Sequence, residues 1–238
     1  MYKNKTVSIV MPAFNEEENI FHAVKEFGSI SFVDEVVVID NNSKDSTNRR
    51  AVDAGARVVV ENRQGYGYAC QRALREAKGD IIILVEPDGT FSAHDVEKFL
   101  AYSNDFDFVI GTRTSKEMIY AGANMGAFLK WGNWFLGKLI EVLYNAPSLT
   151  DVGCTYRLIN RSSLNKIMDR FTVGGSYFSP EMMILAIQSK ISMIEISVGY
   201  RQRTGVSKIT GKKWNAFKLG LRMIKLIFAY KIKNVFSY

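Results

Sequence analysis

Short apolar runs rich in β-branched residues alternate with helical patterns over the first 111 residues, and this alternation constrains the fold more than any other feature. The strand candidates are 6–11, 35–40, 56–61, 81–86 and 106–111, and the helix candidates between them are 15–28, 45–54, 68–78 and 93–102. Such alternation is typical of an open, mostly parallel α/β sheet flanked by helices. In sheets of this kind, ligands bind beyond the carboxyl ends of the strands.

Local signals predict where several elements begin and end. Pro12 is predicted to end the first strand. Asn15 is predicted to cap the first helix, with Glu16 to Glu18 in its first turn, where acidic residues suit the helix dipole. Ser179 is predicted to cap a later helix, with Pro180 as its first residue.

The sequence changes character after residue 113. One long helix is predicted over about 124–144, and its Phe128, Trp131, Phe135 and Leu139 fall at helical spacing, a pattern typical of core packing. Strands are predicted at 154–160 and 191–198, with a helix at 161–171. We find no internal repeat and no linker composition, so the two halves are expected to share one body.

The charge distribution narrows the choice of partners. The net charge is +7, but ten of the 31 Lys and Arg residues, and none of the Asp or Glu residues, lie from Arg201 onward. The remaining 200 residues have 21 basic and 24 acidic side chains, a net of −3. This favours a local anionic partner and argues against a nucleic-acid surface. Two cysteines without CxxC spacing predict free thiols, and a count of two histidines argues against a His-based zinc site.

The segment Glu86-Pro87-Asp88-Gly89 lies at the end of the fourth strand candidate and combines two carboxylates with a forced turn. Carboxylates at the end of a strand are suitable ligands for Mg²⁺ or Mn²⁺, hard cations that keep positions open for a phosphate. An ordinary solvated turn is the alternative. Asp40 and Arg113 are predicted at the ends of other strands, and this shared edge favours the functional interpretation.

The carboxyl-terminal tail is predicted to form an amphipathic helix from Trp214 onward. Its apolar residues are spaced three or four apart, with basic residues beside them (Trp214, Phe217, Leu221, Ile224 and Phe228; Lys218, Arg222 and Lys225). A basic helix with aromatic residues on its apolar side suits an anionic membrane surface. The alternative is a helix packed on the body of the protein. No apolar run reaches the roughly 18 residues of a membrane span, and no signal-peptide pattern is present.

Several segments resemble the motifs of family 2 glycosyltransferases, which have the GT-A fold. Residues 10–16, Val-Met-Pro-Ala-Phe-Asn-Glu, resemble the opening motif, and residues 38–45 resemble the second motif. Glu86-Pro87-Asp88 stands in the place of the Asp-x-Asp metal motif, with Glu for the first Asp. The segments 63–67, 111–113 and 205–208 stand in the order found in polyprenyl-phosphate (dolichyl-phosphate) hexosyltransferases. The resemblance covers residues 7 to about 210.

On the donor side, the resemblance implies a nucleotide-diphosphate sugar of the GDP-mannose or UDP-glucose type. The implied roles are a nucleotide pocket lined by Pro12, Phe14 and Glu16, a base contact from Asp40, and close backbone approach at Gly65 and Gly67. Glu86 and Asp88 would hold Mg²⁺ or Mn²⁺ on the diphosphate, with Asp88 essential for catalysis.

On the acceptor side, the resemblance implies a polyprenyl or dolichyl phosphate that attacks the anomeric carbon with inversion. Its phosphate is already anionic, so the task is one of positioning, which suits Arg. Arg113 is the first candidate for this contact, and the others are Lys130, Arg203, Ser207 and Lys208.

These expectations divide the chain into a catalytic domain and a membrane helix. Residues 1–211 are expected to form one GT-A domain, with a nucleotide-sugar half (1–115) and an acceptor half (116–211). Residues 212–238 are expected to form the basic membrane-surface helix. We therefore expect a peripheral protein on the cytoplasmic face of a membrane, and a membrane-anchoring partner protein is left open.

Other functions are weighed against this one. A sugar nucleotidyltransferase usually has a Gly-rich, Arg- or Lys-bearing loop after its first strand, and a dinucleotide-binding domain needs GxGxxG there. Pro12-Ala13-Phe14-Asn15-Glu16 is neither. A glycosyltransferase with another acceptor and a non-catalytic protein that binds a membrane surface stay open as alternatives.

Overall fold

Seven strands and eight α-helices make up the described part of the chain, which comprises residues 1–120, 123, 126–202 and 213–235 in this computed structural model. The strands are β1 (Val7–Ala13), β2 (Glu35–Asp40), β3 (Arg57–Val60), β4 (Ile81–Leu84), β5 (Phe108–Thr112), β6 (Arg157–Asn160) and β7 (Met193–Ser197). The helices are α1 (Ile20–Gly28), α2 (Thr47–Asp53), α3 (Tyr66–Glu76), α4 (Asp95–Tyr102), α5 (Ala127–Tyr144), α6 (Arg161–Ile167), α7 (Phe178–Gln188) and α8 (Lys213–Val235). Short 3₁₀ turns occupy Lys116–Met118 and Met168–Arg170.

The strands form one mixed sheet in the order β3-β2-β1-β4-β6-β5-β7. Among the described pairings, β6 is antiparallel to β4 and β5, and the others are parallel. The predicted mostly parallel α/β sheet is thereby confirmed. Because β1, β2, β4 and β5 run in one direction, the loops that follow them lie at one edge.

Helices cover both faces of the sheet, which explains why its central strands are apolar at almost every position. In β1, Val7, Ile9 and Met11 join a core layer with α1, α2 and α4, whereas Val10 joins the opposite layer with α3 and α5 to α8. Consecutive strand residues point to opposite faces, so each layer takes every second side chain. The sheet is therefore held rigidly from both sides.

Pro12 lies inside β1, and the prediction that it ends this strand was wrong. The carbonyl of Val10 accepts a hydrogen bond from the amide of Val85, on the β4 side. Alternate residues of a strand bond to the same neighbour, so Pro12 also faces the β4 side. Because β4 ends at Leu84, the missing N–H of Pro12 removes no ladder bond.

The first helix begins later than predicted. α1 starts at Ile20, and Asn15 lies in the preceding loop with a φ of 51°. Asparagine tolerates this left-handed conformation better than most residues. The Asn15 side-chain oxygen accepts a hydrogen bond from the Lys44 amide at 2.8 Å. Asn15 therefore joins the loops after β1 and β2 and does not cap α1.

Two other boundaries differ by a few residues. α7 begins at Phe178, so Ser179 lies in its first turn and does not cap it. Pro180 is tolerated there because the first amides of a helix have no helical partner. β4 ends at Leu84, so Glu86 lies in the following loop.

The aromatic stripe of α5 faces outward, contrary to the prediction of core packing. Phe128, Trp131 and Phe135 are 51%, 66% and 54% exposed, whereas Leu136 and Ile140 are buried. The helix is apolar on more than one side, so helical spacing does not determine which side meets the body.

α8 likewise has two apolar sides. Met223 and Ile227 are buried in the core layer that contains α5 and α7, and the Tyr144 hydroxyl donates to the Ile227 carbonyl at 2.6 Å. Trp214 and Phe217, on the predicted membrane stripe, are exposed. The tail helix is thus packed on the body along one side and open along another, while the division of the chain near residue 211 stays a prediction. Within the described ranges, none of the helices is both long and apolar enough to span a bilayer.

Candidate active site

A cavity of about 560 Å³ lies between the carboxyl edge of the sheet and the helices α5 and α8. Glu86, Asp88 and Arg113 line its polar end, from the loops after β4 and β5. Apolar side chains of the two helices also line the cavity, including Phe128, Leu129, Phe135, Leu136, Phe217, Leu221 and Ile224. The structure therefore brings the predicted metal motif and the predicted acceptor arginine to one site.

Asp88 is held in place by its own turn. Its side chain is buried, and Oδ1 accepts hydrogen bonds from the amide of Thr90 at 3.0 Å and from the Thr90 hydroxyl at 2.6 Å. Gly89 between them has a φ of 77°, a conformation that favours glycine. The turn thus fixes the direction of the Asp88 carboxylate before any ligand binds.

The polar end of the cavity suits a cation that is shared with a substrate. No group of three or more His, Cys, Asp or Glu that could hold a metal ion is found in the part of the chain that the structure describes. Mg²⁺ and similar ions often use only one or two carboxylates, together with substrate phosphates and water. Glu86 and Asp88 fit such a donor set.

The predicted nucleotide residues lie beside this cavity and are not among its lining residues. Pro12, Phe14 and Glu16 lie at or just after the end of β1, and Asp40 is the last residue of β2. β1 lies between β4 and β2 in the sheet, so these loops adjoin the metal motif.

Hydrogen bonds connect the loops after β1 and β2. Asp40 accepts from the Ser43 amide at 3.0 Å and from the Asn48 side chain at 3.2 Å. The Asn15 amide donates to the Ser43 hydroxyl at 3.0 Å, and the Glu16 amide donates to the Thr47 hydroxyl at 2.8 Å. The two loops therefore form one rigid polar surface.

The glycines of the Gly-Tyr-Gly turn are required by a contact within the protein. A Cβ at Gly65 would lie 2.3 Å from the Gly174 carbonyl oxygen, and one at Gly67 would lie 2.1 Å from that of Val173. The Gly67 amide donates to the Gly174 oxygen at 3.0 Å. This packing accounts for both glycines, and their contact with a donor stays a prediction.

Arg113 is paired with a carboxylate that sequence reasoning did not identify. Its Nε and Nη2 donate to the two oxygens of Asp151 at 2.7 and 2.9 Å, and its guanidinium lies 5.5 Å from the ring centre of Tyr200. Burial alone would lower the pKa of Arg113, but the Asp151 carboxylate outweighs it and raises the pKa well above its ordinary value. Arg113 therefore stays charged, and its contact with Asp151 fixes the orientation of its guanidinium.

The other predicted acceptor contacts are less well placed or lie elsewhere. Lys130 donates from Nζ to the Thr114 carbonyl at 2.9 Å and is not among the lining residues of the cavity. Arg203, Ser207 and Lys208 lie outside the described residues. Arg113 is therefore the predicted acceptor residue that the structure places at the cavity.

Sequence reasoning missed two further features of the site. Asn41 is buried and donates to the Glu61 and Arg63 carbonyls, and its oxygen accepts from the Gly65 amide. It thus connects β2 to the loop before α3, and its place in the second motif was the available signal. The second feature is the apolar wall of α5 and α8, and no sequence pattern distinguishes its residues from residues packed in the core.

Comparisons with known proteins agree with this geometry. Residues 8–168 match the model of a family described as Glycosyl transferase family 2. The chain is 30% identical over 210 residues to the low-salt glycan biosynthesis hexosyltransferase Agl6 of Haloferax volcanii, covering 86% of this chain and 50% of that protein. It is 27% identical over 209 residues to the dolichyl-phosphate hexose transferase of the same organism, covering 87% of this chain and 88% of the relative. The chain thus spans half of one relative and nearly all of the other.

Solved structures share the fold. Glucosyl-3-phosphoglycerate synthase of Mycobacterium tuberculosis, in complex with phosphoglyceric acid, superimposes with a TM-score of 0.75 at 18% identity, covering 95% of this chain and 80% of that one. The complex of the same protein with Mn²⁺, UDP and glucosyl-3-phosphoglycerate gives a TM-score of 0.73 at 19% identity, with the same coverage. At this identity the likeness establishes the fold alone.

Proposed function

We propose that this chain, which belongs to glycosyl transferase family 2, moves a hexose from a nucleotide-diphosphate sugar to a polyprenyl or dolichyl phosphate. The donor is of the GDP-mannose or UDP-glucose type. A related hexosyltransferase named for dolichyl phosphate, similar along nearly its whole length, supports this acceptor class.

The observation that carries the acceptor assignment is the two-sided character of the cavity. Its lining combines Arg113 and the carboxylates Glu86 and Asp88, from the sheet loops, with apolar side chains of α5 and α8. A lipid phosphate has the same two parts, an anionic head and an apolar chain. A small, fully polar acceptor would leave the apolar wall without a function.

The polar end is suited to the donor diphosphate. Glu86 and Asp88 would hold Mg²⁺ or Mn²⁺, which, when bound, neutralises charge on the leaving nucleoside diphosphate. Loops that carry Phe14, Glu16 and Asp40 adjoin this end and offer a surface for the nucleotide. A structural neighbour is described with Mn²⁺ and UDP, which supports a divalent ion.

The chemistry then requires alignment more than proton transfer. An oxygen of the lipid phosphate forms a bond to the anomeric carbon as the bond from that carbon to the nucleoside diphosphate breaks, and the electron pair leaves with the diphosphate. The attacking oxygen is already anionic, so no strong general base is needed. Arg113 would hold the acceptor phosphate in line, and a single displacement inverts the anomeric configuration.

We further propose that α5 and α8 rest on an anionic membrane surface at its cytoplasmic face. Trp131 and Trp214 are exposed, as are Lys218, Arg222 and Lys225. Aromatic residues beside basic ones suit the headgroup region, where each Lys or Arg contributes about 1 kcal/mol. Residues 212–238 would thereby bring the cavity to its lipid acceptor, with or without a membrane-anchoring partner protein.

Release of a nucleoside diphosphate tests this proposal. Nucleotide sugars are screened one by one with Mg²⁺ or Mn²⁺, in the presence of either a short polyprenyl phosphate or 3-phosphoglycerate. We expect release from one donor that depends on both the divalent ion and the lipid phosphate. Release that depends on phosphoglycerate instead would establish a different acceptor. Binding of the donor without any release would support a non-catalytic role.

A further inference from the structure

We propose that Asp151 and Glu195 are positioning residues that set the direction in which Arg113 presents its guanidinium to the acceptor. This inference rests on the proposed function, because it takes Arg113 as the contact for the acceptor phosphate. Neither Asp151 nor Glu195 is among the residues that line the cavity, so both would act through Arg113.

Asp151 holds Arg113 at three points. Its side chain is fully buried, and it accepts hydrogen bonds from Nε, from Nη2 and from the backbone amide of Arg113, the last at 3.1 Å. A guanidinium has five N–H donors in a fixed plane. Two of these donors bond to Asp151, which fixes the plane of the Arg113 guanidinium. Its other N–H groups take no part in the bonds to Asp151.

Glu195 holds the turn that carries Asp151. It accepts from the Thr150 amide at 2.7 Å, from the Thr150 hydroxyl at 2.8 Å and from the Asp151 amide at 2.8 Å. Glu195 lies on β7 opposite Ile110 of β5, the strand that Arg113 follows. The series Glu195, Asp151 and Arg113 therefore links two paired strands at the edge where the cavity lies.

Threonine hydroxyls fill the space beside this series. The hydroxyls of Thr112, Thr114 and Thr150 lie 2.9 Å from one another in each pair. The Thr150 hydroxyl donates to Glu195, so it can only accept in its contacts with the hydroxyls of Thr112 and Thr114. The turn at residues 150–151 is thus bonded on several sides and has little freedom to move.

The charges around Arg113 indicate that the orientation of its guanidinium matters more for binding the acceptor than the net positive charge of the site. The Asp151 carboxylate pairs with the guanidinium, and burial, together with the neighbouring Asp151, raises the pKa of Glu195. Burying carboxylates is costly, and a turn could be closed by neutral side chains at lower cost. The arrangement reduces the positive potential of Arg113 but keeps its planar fork. We therefore expect the acceptor phosphate to be recognised by the geometry of the fork.

The test compares Asp151→Asn and Glu195→Gln with Asp107→Asn, a matched control. Asp107 lies before the amino end of β5 and accepts hydrogen bonds from Asn160 and Ser192. Steady-state kinetics are measured with varied lipid phosphate and, separately, with varied nucleotide sugar. We expect Asp151→Asn to raise the KM for lipid phosphate on the order of ten-fold. Glu195→Gln should raise the same KM by a smaller factor, and neither variant should change the KM for the donor much. Asp107→Asn should match the wild type.

A double-mutant cycle with Arg113→Lys separates positioning from a general structural role. If Asp151 acts through Arg113, Asp151→Asn adds little to the effect of Arg113→Lys. Additive effects, or an equal rise in the KM for the donor, would overturn the inference. Should Asp151→Asn fail to fold, the same cycle with Glu195→Gln decides. Transfer by the wild type to a water-soluble phosphate would instead overturn the proposed acceptor, and an unchanged KM in both variants overturns the positioning role alone.

Discussion

The loops after β1 and β2 and the outer sides of α5 and α8 are built in opposite ways. In the loops, Asp40 and Asp45 accept hydrogen bonds from backbone amides, and Asn15 connects one loop to the other. On the helices, Trp131 and Trp214 are 66% and 64% exposed. A polar surface with fixed hydrogen bonds suits a ligand of one shape, such as a nucleotide. An exposed aromatic surface suits a partner without fixed shape, such as a lipid surface.

The cavity lies where these two kinds of surface meet. Its polar end belongs to the loops of the sheet, and its apolar wall belongs to α5 and α8. We propose that the sheet edge carries out the chemistry and that the helices select the acceptor. Changing one of the two surfaces should therefore leave the binding properties of the other unaffected.

The largest effect is expected at the sheet edge. Asp88→Asn keeps the hydrogen bonds that a side-chain oxygen can accept from Thr90 but removes the charge. Turnover should fall about 10²- to 10³-fold, the scale of losing one electrostatic stabiliser. Turnover is measured at saturating donor, thermal unfolding verifies the fold, and Asp107→Asn serves as a control. Turnover near that of the wild type would remove Asp88 from the metal site.

The next effect is expected on the helices. Reversing Lys218, Arg222 and Lys225 to Glu should weaken binding to anionic vesicles by about 3 kcal/mol or more, about 1 kcal/mol for each charge lost. Flotation measures the bound fraction, and salt should release the unchanged protein because it screens these charges.

A matched variant controls for net charge. Lys3, Lys5 and Arg49 are exposed in the amino-terminal part of the chain, and their change to Glu alters the net charge by the same amount. This variant should still float, and both variants should bind nucleotide. If both lose flotation equally, binding depends on overall charge and not on α8. Removal of α8 is a poorer test, because Met223 and Ile227 are part of the core.

A smaller effect is expected at the junction of the two surfaces. Arg113→Lys keeps the charge but loses the planar fork that bonds to Asp151. The KM for lipid phosphate should rise on the order of ten-fold, while nucleotide affinity changes little. Isothermal titration calorimetry with the nucleoside diphosphate measures the nucleotide affinity. A collapse of nucleotide affinity would place Arg113 on the donor side.

Much of this arrangement could be predicted from the sequence. Apolar strand runs and helix patterns predicted the sheet, because parallel strands buried on both faces must be continuously apolar. The motif at Glu86 and Asp88 was predicted to lie at the carboxyl end of a strand, and the structure places it in the loop that follows β4. Asp151 could not be found in this way, since its partner Arg113 is 38 residues away in sequence and the contact depends on the tertiary fold. The outward side of α5 was mistaken for core because helical spacing reports apolar residues and not what covers them.

The smallest effect is expected at the opposite edge of the sheet, where stability can be changed without touching the site. Glu35 accepts hydrogen bonds from the Ser8 hydroxyl, the Lys78 amide and Arg57. Burial would raise the pKa of Glu35, but these bonds outweigh it and lower the pKa below its ordinary 4.5. Because the pKa of Glu35 is lower in the folded than in the unfolded state, its ionisation stabilises the fold at pH values above the unfolded-state pKa. This stabilisation is lost as the pH falls through the folded-state pKa.

Glu35→Gln should therefore reduce the free energy of unfolding at neutral pH by about 0.5–1 kcal/mol, and this difference should shrink as the solution is acidified. Urea unfolding at several pH values measures it, with the exposed Glu97→Gln as a control. Turnover of the folded variant should be unchanged. A difference that grows towards acid pH would contradict this account of Glu35.

The most direct test of the account is a competition between acceptors. A labelled nucleotide sugar is given to the protein with equal amounts of a polyprenyl phosphate and of 3-phosphoglycerate, in the presence of Mg²⁺ or Mn²⁺, and the products are partitioned between organic and aqueous phases. We predict that the label moves into the organic phase as a lipid-linked sugar, and that Asp88→Asn lowers the rate of this transfer about 10²- to 10³-fold. Label that accumulates in a water-soluble sugar phosphate instead would contradict the assignment of the α5 and α8 wall to a lipid acceptor.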